Sequence, residues 1–260
     1  LRLRGSTAEQ VLILRDGRPV PVGSAGVADL RRISLQGVER IEVLLGPATA
    51  LYGSGGAAGA INLVSRRDPD AGGEISGASS AEYGSFGEYR LGGTIRFDVG
   101  ATELDFGVHG VYALNEYGYD RAGVARRRDN AGGWEGELHV GLVTPIAAAD
   151  SDAPLRAEAT VSRADRGIPG TVEFPSETAE MEETVASLSI GFGAPEPAQT
   201  GTEGWQPSMD LAASLHERAF GDPGYPLGAL KSSSTLLRGR IALGAARRVA
   251  GGSLSLPTEI

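Results

Sequence analysis

From Thr102 onward the chain alternates apolar and polar residues with a period of two. Leu104, Phe106, Val108, Tyr112 and Leu114 fall on one face, and Glu103, Asp105, His109 and Asn115 on the other. Trp134, Leu138, Val140 and Leu142 alternate with Glu135, Glu137 and His139 in the same way. The pattern returns over 155–162, 185–192, 209–216 and 237–243, and in weaker form over 74–80 and 89–99. It predicts about eight β-strands, separated by loops rich in Gly, Pro, Asp and Arg. Two environments suit such strands. A soluble sandwich buries the apolar face and wets the other. A transmembrane barrel turns the apolar face to lipid and the polar face to a wet lumen. A short turn at 149–153 alternating with long loops at 115–133 and 163–182 favours the barrel. An aromatic content of 6% is thin for interfacial girdles.

Residues 1–67 have a different texture. Val11 to Leu14 is a short apolar strand, and Asp16-Gly17 is a strong hairpin dipeptide. Residues 19–22 are expected to pair back, and Gly23-Ser24-Ala25-Gly26 to form a flexible loop. Asp29 is a suitable N-cap for a short helix over 29–34. Residues 38–43 alternate as a half-buried strand, which Gly46-Pro47 stops because proline donates no ladder hydrogen bond. Gly53, Gly55, Gly56 and Gly59 allow backbone that side chains forbid, and residues 61–64 return as a strand. This order describes a small α+β unit. The expected organisation is one domain over 1–67, a linker over 68–73 and strands over 74–260.

The formal net charge of −9 argues against nucleic acid as a partner, because phosphate neutralisation needs clustered cations. Arg126-Arg127-Arg128 reads as one solvated loop cluster. Cysteine is absent, so disulfides, thiolate metal sites and cysteine nucleophiles are excluded. No apolar run approaches the ~20 residues of a membrane helix. The chain starts without Met and ends within the strand pattern, so a fragment is expected. An enzyme is not expected. Gly53-Ser54-Gly55-Gly56 leads into a strand rather than opening the helix of a βαβ unit. Tyr52 stands where a Gly-x-Ser-x-Gly elbow needs glycine. His109, His139 and His216 have no paired ligand spacing, so no metal and no cofactor are expected. A soluble β-rich binding or structural protein remains the alternative.

One ordered series of motifs changes this picture. Leu3-Arg4-Gly5-Ser6, then QVLILRDGRPV over 10–20, then VERIEVLLGPATALYGSGGAAGAINLVSRR over 38–67, resembles the plug domain of TonB-dependent outer-membrane receptors. NEYGYD over 115–120 and DRGIPGTVEFP over 165–175 resemble early loops of cobalamin-type and related receptors. The resemblance implies an α+β plug followed by antiparallel transmembrane strands, here an incomplete barrel, since whole family barrels have about 22 strands. It implies the bacterial outer membrane and transport of a scarce nutrient: a ferric siderophore, haem or cobalamin. It implies the TonB energy-transducing complex, a nutrient chelate and outer-membrane lipid as partners.

Residue by residue, the resemblance makes Arg4, Arg40 and Glu42 contacts between plug and barrel. Val22, Gly23, Ser24, Ala25 and Gly26 become an apical loop near substrate. Asp16, Gly17, Gly46, Pro47, Tyr52, Gly53, Gly59 and Asn62 become its structural motif. Asp120 and Asp129 stand where cobalamin-type receptors bind calcium, with too few oxygen donors to make a strong site. Leu45 departs from the family, which has arginine before Gly-Pro. A plug lacking that ion pair must be locked differently or belong to a decaying copy.

Overall fold

The computed structural model describes residues 2–20, 28, 30, 33, 35, 38–46, 55–65, 75–148, 151–193, 205–249 and 252–259. Among these, strands make a four-stranded, a nine-stranded and a two-stranded sheet. The four-stranded sheet holds β1 (Val11–Arg15), β2 (Arg18–Pro19), β3 (Val38–Leu45) and β4 (Gly59–Ser65), in the order β2-β1-β4-β3. β1 pairs antiparallel with β2 and parallel with β4, and β3 closes the edge antiparallel to β4. An interior strand covered on both faces must be apolar throughout. Val11, Leu12, Ile13 and Leu14 are accordingly all buried, and Leu12, Leu14 and Ala60 form the core with Leu44 packed against it.

β3 differs from the half-buried strand expected. Its Glu42 and Leu44 side is partly covered, while Ile41, Val43 and Leu45 are each more than half exposed. The helix expected over 29–34 lies outside the described residues, apart from Leu30 and Ile33. Ala8–Gln10, directly before β1, forms a 3-10 turn. The expected linker over 68–73 also lies outside them.

The nine-stranded sheet is antiparallel and follows chain order: β5 (Ser76–Gly84), β6 (Glu88–Val99), β7 (Thr102–Ala113), β10 (Gly133–Ala148), β11 (Ser151–Gly167), β12 (Glu180–Phe192), β13 (Trp205–Asp222), β14 (Leu230–Val249) and β15 (Gly252–Glu259). β8 (Tyr117–Arg121) and β9 (Val124–Arg128) form a separate hairpin between β7 and β10. Two sequence expectations change here. The segment 115–133 contains that hairpin, because Ala122 and Gly123 adopt φ of 54° and 79°, the mirror-type turn that joins two strands tightly. The sheet gains a ninth strand, β15, whose Pro257 weakens its strand signature and suits the edge position it holds.

The two faces of this sheet are unlike. Directly opposed residues share a face. Leu91, Ile95, Val108, Leu138, Val161, Leu188, Leu211, Leu237 and Ile241 belong to one face, and all are exposed. On the other face Glu135, Ser162, Glu183 and His216 are buried. Tyr83, Tyr89, Tyr112 and Trp134 stand opposite one another on four successive strands, making an aromatic row at one end of the exposed face.

Leu14 is fully buried, so Leu14→Ala should cost about 2–5 kcal/mol. Hydrogen exchange should then accelerate in β1 and β4. Leu227→Ala, at an 89% exposed position, should leave it unchanged.

Candidate functional site

The hairpin between β1 and β2 organises the small sheet. Asp16 and Gly17 take φ of 49° and 79°, which an Asp-Gly pair tolerates and most pairs do not. The turn is then tied to the sheet by side chains. The Gly17 N–H donates to Asn62 Oδ1 at 2.9 Å, and the Ser65 N–H donates to Asp16 Oδ1 at 2.8 Å. Asn62 Nδ2 donates to Glu42 Oε2 at 3.0 Å, and Arg40 Nε donates to Glu42 Oε1 at 2.8 Å. Asn62 uses both ends of its amide, linking the turn to β3. Asn62 first and Arg40 second hold the Glu42 carboxyl below its ordinary range.

Gly59 belongs to the same framework. Its φ is 146°, and a Cβ there would lie 2.2 Å from the Leu44 carbonyl oxygen. Gly46 ends β3 with φ of 109°. Pro47, Tyr52 and Gly53, and the expected apical loop of Val22, Gly23, Ser24, Ala25 and Gly26, lie outside the described residues. Arg4 and Gly5 have φ of 48° and 79° and form the exposed apex of a turn closed by Ser6 N–H to Leu3 O at 2.9 Å.

The polar face of the large sheet is turned toward this hairpin. Arg18 on β2 places Nε 3.0 Å from Asp210 Oδ2 on β13, and its Nη1 donates to Ser189 Oγ on β12 at 3.3 Å. Asp210 Oδ1 also accepts from Arg240 Nη1 on β14 at 3.5 Å. The Arg18 and Asp210 side chains are 17% and 18% exposed, so solvent screens the pair only in part. Gly191 gives the guanidinium its room, since a Cβ there would lie 2.2 Å from Arg18 Nη2. Around this socket the wall carries further pairs: His139 with Asp105 at 2.7 Å and Glu158 at 3.5 Å, and Glu183 with Arg218 at 3.0 Å. Among the described residues no group of three or more metal-ligating side chains occurs.

Among the described residues, Arg18 of the small sheet pairs with a wall carboxylate. Arg40 and Glu42 pair with each other at the exposed edge. Sequence reading passed over Arg18, Gly191 and Asp210. The signal available was the position of Arg18 directly after Asp-Gly, which puts a cation beside the tip of a tight hairpin. Its carboxylate lies nearly two hundred residues away, so no local pattern could supply it. Of the calcium candidates, Asp120 accepts the Gly123 N–H within its turn, and Asp129 pairs with Arg127 at 2.7 Å.

Arg18→Met and Gly191→Val should each loosen the hairpin against the wall by about 1–2 kcal/mol. They remove one contact, so the double variant should cost little more than either single variant. Hydrogen exchange of β1 and β2 amides reads both effects. A depressed carboxyl stabilises the fold above its ordinary value of 4.5, and loses that contribution as pH falls through the depressed value. Exchange in β3 should therefore quicken below about pH 4.5. Glu42→Gln should flatten that dependence.

The description "TonB-dependent Receptor Plug Domain" matches residues 1–60. The chain is 36% identical over 98 residues to the vitamin B12 transporter BtuB of Photobacterium profundum, covering 38% of this chain and 16% of that protein. It is 44% identical over 78 residues to the ferric enterobactin receptor PirA of Pseudomonas aeruginosa, covering 26% of this chain and 10% of that protein. Two solved structures share the fold across 99% of this chain. The copper transporter OprC does so with a TM-score of 0.71 at 16% identity, and the pyoverdine outer membrane receptor FpvA of P. aeruginosa with 0.65 at 14%. The chain spans 38% and 39% of those two chains. The first 60 residues are thus similar to the plug domain of TonB-dependent receptors, and the antiparallel sheet that follows them shares the fold of those two solved chains.

Proposed function

We propose that this chain supplies the plug and the first wall strands of an outer-membrane receptor that imports a scarce nutrient. The nutrient is a ferric siderophore, cobalamin or haem, and the energy comes from the TonB complex. In this reading the nine-stranded sheet is one arc of a transmembrane barrel, residues 1–67 sit in its lumen, and 68–73 link the two. The observation that carries it is the inverted polarity of the sheet. A soluble sheet buries its apolar face, whereas here that face is bare and the charged face is covered. Lipid is the solvent that such a surface matches.

The dimensions agree. On β6 the outward residues Tyr89, Leu91, Ile95 and Val99 run about 33 Å at ~3.3 Å per residue. With strands tilted about 40°, that is close to the ~25 Å apolar band of outer-membrane barrels. The row of Tyr83, Tyr89, Tyr112 and Trp134 at its margin supplies the amphipathic rings that favour a membrane interface. Among the described residues β5 and β15 are the sheet's edges, and unpaired edges are not tolerated in lipid. Further strands must therefore complete the working receptor.

The full-length protein should partition into the outer-membrane fraction and resist extraction without detergent. In cells, uptake of one nutrient from a panel of ferric siderophores, haem and cobalamin should require both this protein and TonB. Recovery of the full-length protein in the soluble fraction would defeat the proposal.

A further inference from the structure

The small sheet has one unfinished face. On the Leu12 and Leu14 side β3 is satisfied: Leu44 packs on the core, and Glu42 accepts from both Asn62 and Arg40. On the opposite side three registered rows cross the sheet. Ile13 on β1, Ile61 on β4 and Val43 on β3 make one row. Val11, Gly59 and Leu45 make the next, and Leu63 and Ile41 the third. Cover falls away along each row. Ile13 is buried, Ile61 half-buried and Val43 exposed. Val11 and Gly59 are buried and Leu45 exposed, and Leu63 is buried and Ile41 exposed. The covering of this face therefore stops at β4, and β3 overhangs it with three apolar side chains bare. Leu35, whose carbonyl accepts the Val38 N–H at 3.1 Å, adds a fourth exposed apolar residue just before the strand.

The nine strands do not supply that cover. The small sheet meets them at its other edge, where Arg18 of β2 reaches Asp210 and Ser189. In the order β2-β1-β4-β3, β3 lies three strand spacings from that contact, about 14 Å. The inner side chains of the wall around the contact are ions and hydroxyls, which an apolar face does not match. The wall itself is incomplete. β5 and β15 end it without partners among the described residues, and the chain spans 38% and 39% of the two similar solved chains. In the receptor reading the small sheet sits in the lumen, so its far edge faces wall strands outside this chain.

We infer that Ile41, Val43 and Leu45 seat on the inner surface of the wall strands that complete the receptor, and that those strands turn apolar side chains inward there. Aliphatic side chains left bare in a wet lumen are disfavoured, and burial against an apolar wall removes that cost. The plug is then mounted by two chemically different contacts: an exchangeable ion pair at β2 and a dry aliphatic seam at β3. Sheet order separates the two, so the ion pair can part while the seam holds. The inference rests on the receptor reading and adds a partner surface to it.

The test uses the full-length receptor purified in detergent. A photo-crosslinking benzoylphenylalanine placed at Val43 should couple to wall strands outside residues 1–260, at inward positions flanked by apolar residues. In a receptor freed of any other cysteine, Val43→Cys and Leu45→Cys should react with a water-soluble maleimide roughly tenfold more slowly than Leu227→Cys. Heat denaturation should abolish the difference. A Val43→Cys rate within about threefold of Leu227→Cys, in a receptor that still takes up its nutrient in cells, overturns the inference and leaves the receptor reading standing. Crosslinks confined to residues 1–260 assign the cover to this chain's own segments and overturn it. So do crosslinks to a second copy, crosslinks to charged inward positions of the completing strands, or no crosslink at all. Recovery of the full-length protein in the soluble fraction defeats the receptor reading and this inference with it.

Discussion

Leu91, Val108, Leu138, Val161, Leu188, Leu211 and Leu237 lie exposed on one face of the large sheet, whereas Glu135, Glu183 and His216 lie buried on the other. At about 25 cal/mol per Å2, that much bare apolar surface is heavily disfavoured in water. It becomes neutral only against another apolar medium. The covered face has the opposite requirement. Its carboxylates and guanidinium groups lie in a partly dried space, where each needs a partner. The wall meets this by pairing across strands, as in Asp105 with His139 and Glu135 with Arg166. Inverted polarity and cross-strand pairing are therefore two sides of one constraint.

That constraint also governs how plug and wall meet. An apolar seam between them would be held by buried area and would part only with a large exposure of hydrocarbon to water. The observed contact is polar: Arg18 on Asp210 and Ser189, with Gly191 left bare to admit the guanidinium. Polar partners can be exchanged for water at modest net cost. A contact of this kind can part without exposing hydrocarbon to water. Asp210 keeps Arg240 as a second partner when Arg18 leaves, so the carboxylate is not stranded.

The two hairpins show the same device with different outcomes. Asp16-Gly17 and Ala122-Gly123 both use left-handed residues to reverse the chain in two positions. At the first, side chains of Asp16 and Asn62 lock the turn into a sheet, and the arginine after it reaches the wall. At the second, the strands pair as a separate two-stranded sheet, and their alternation sorts three consecutive arginines onto opposite faces.

Much of this was legible in the residues. A period of two marks strands wherever one face differs from the other. Asp-Gly marks a tight reversal because few other pairs tolerate two positive φ values in succession. The plug motif could be read because turn glycines and strand residues occur in a fixed order. The sequence alone therefore determined eight strands of the large sheet, the first hairpin turn and the plug likeness, all of which depend on neighbours a few positions apart. It could not determine which face is covered, because alternation is identical in a sandwich and a barrel wall. Nor could it show that four scattered aromatic residues stand in one row, or that Arg18 meets Asp210. Those depend on register and on packing between distant segments, so only the tertiary structure decided them.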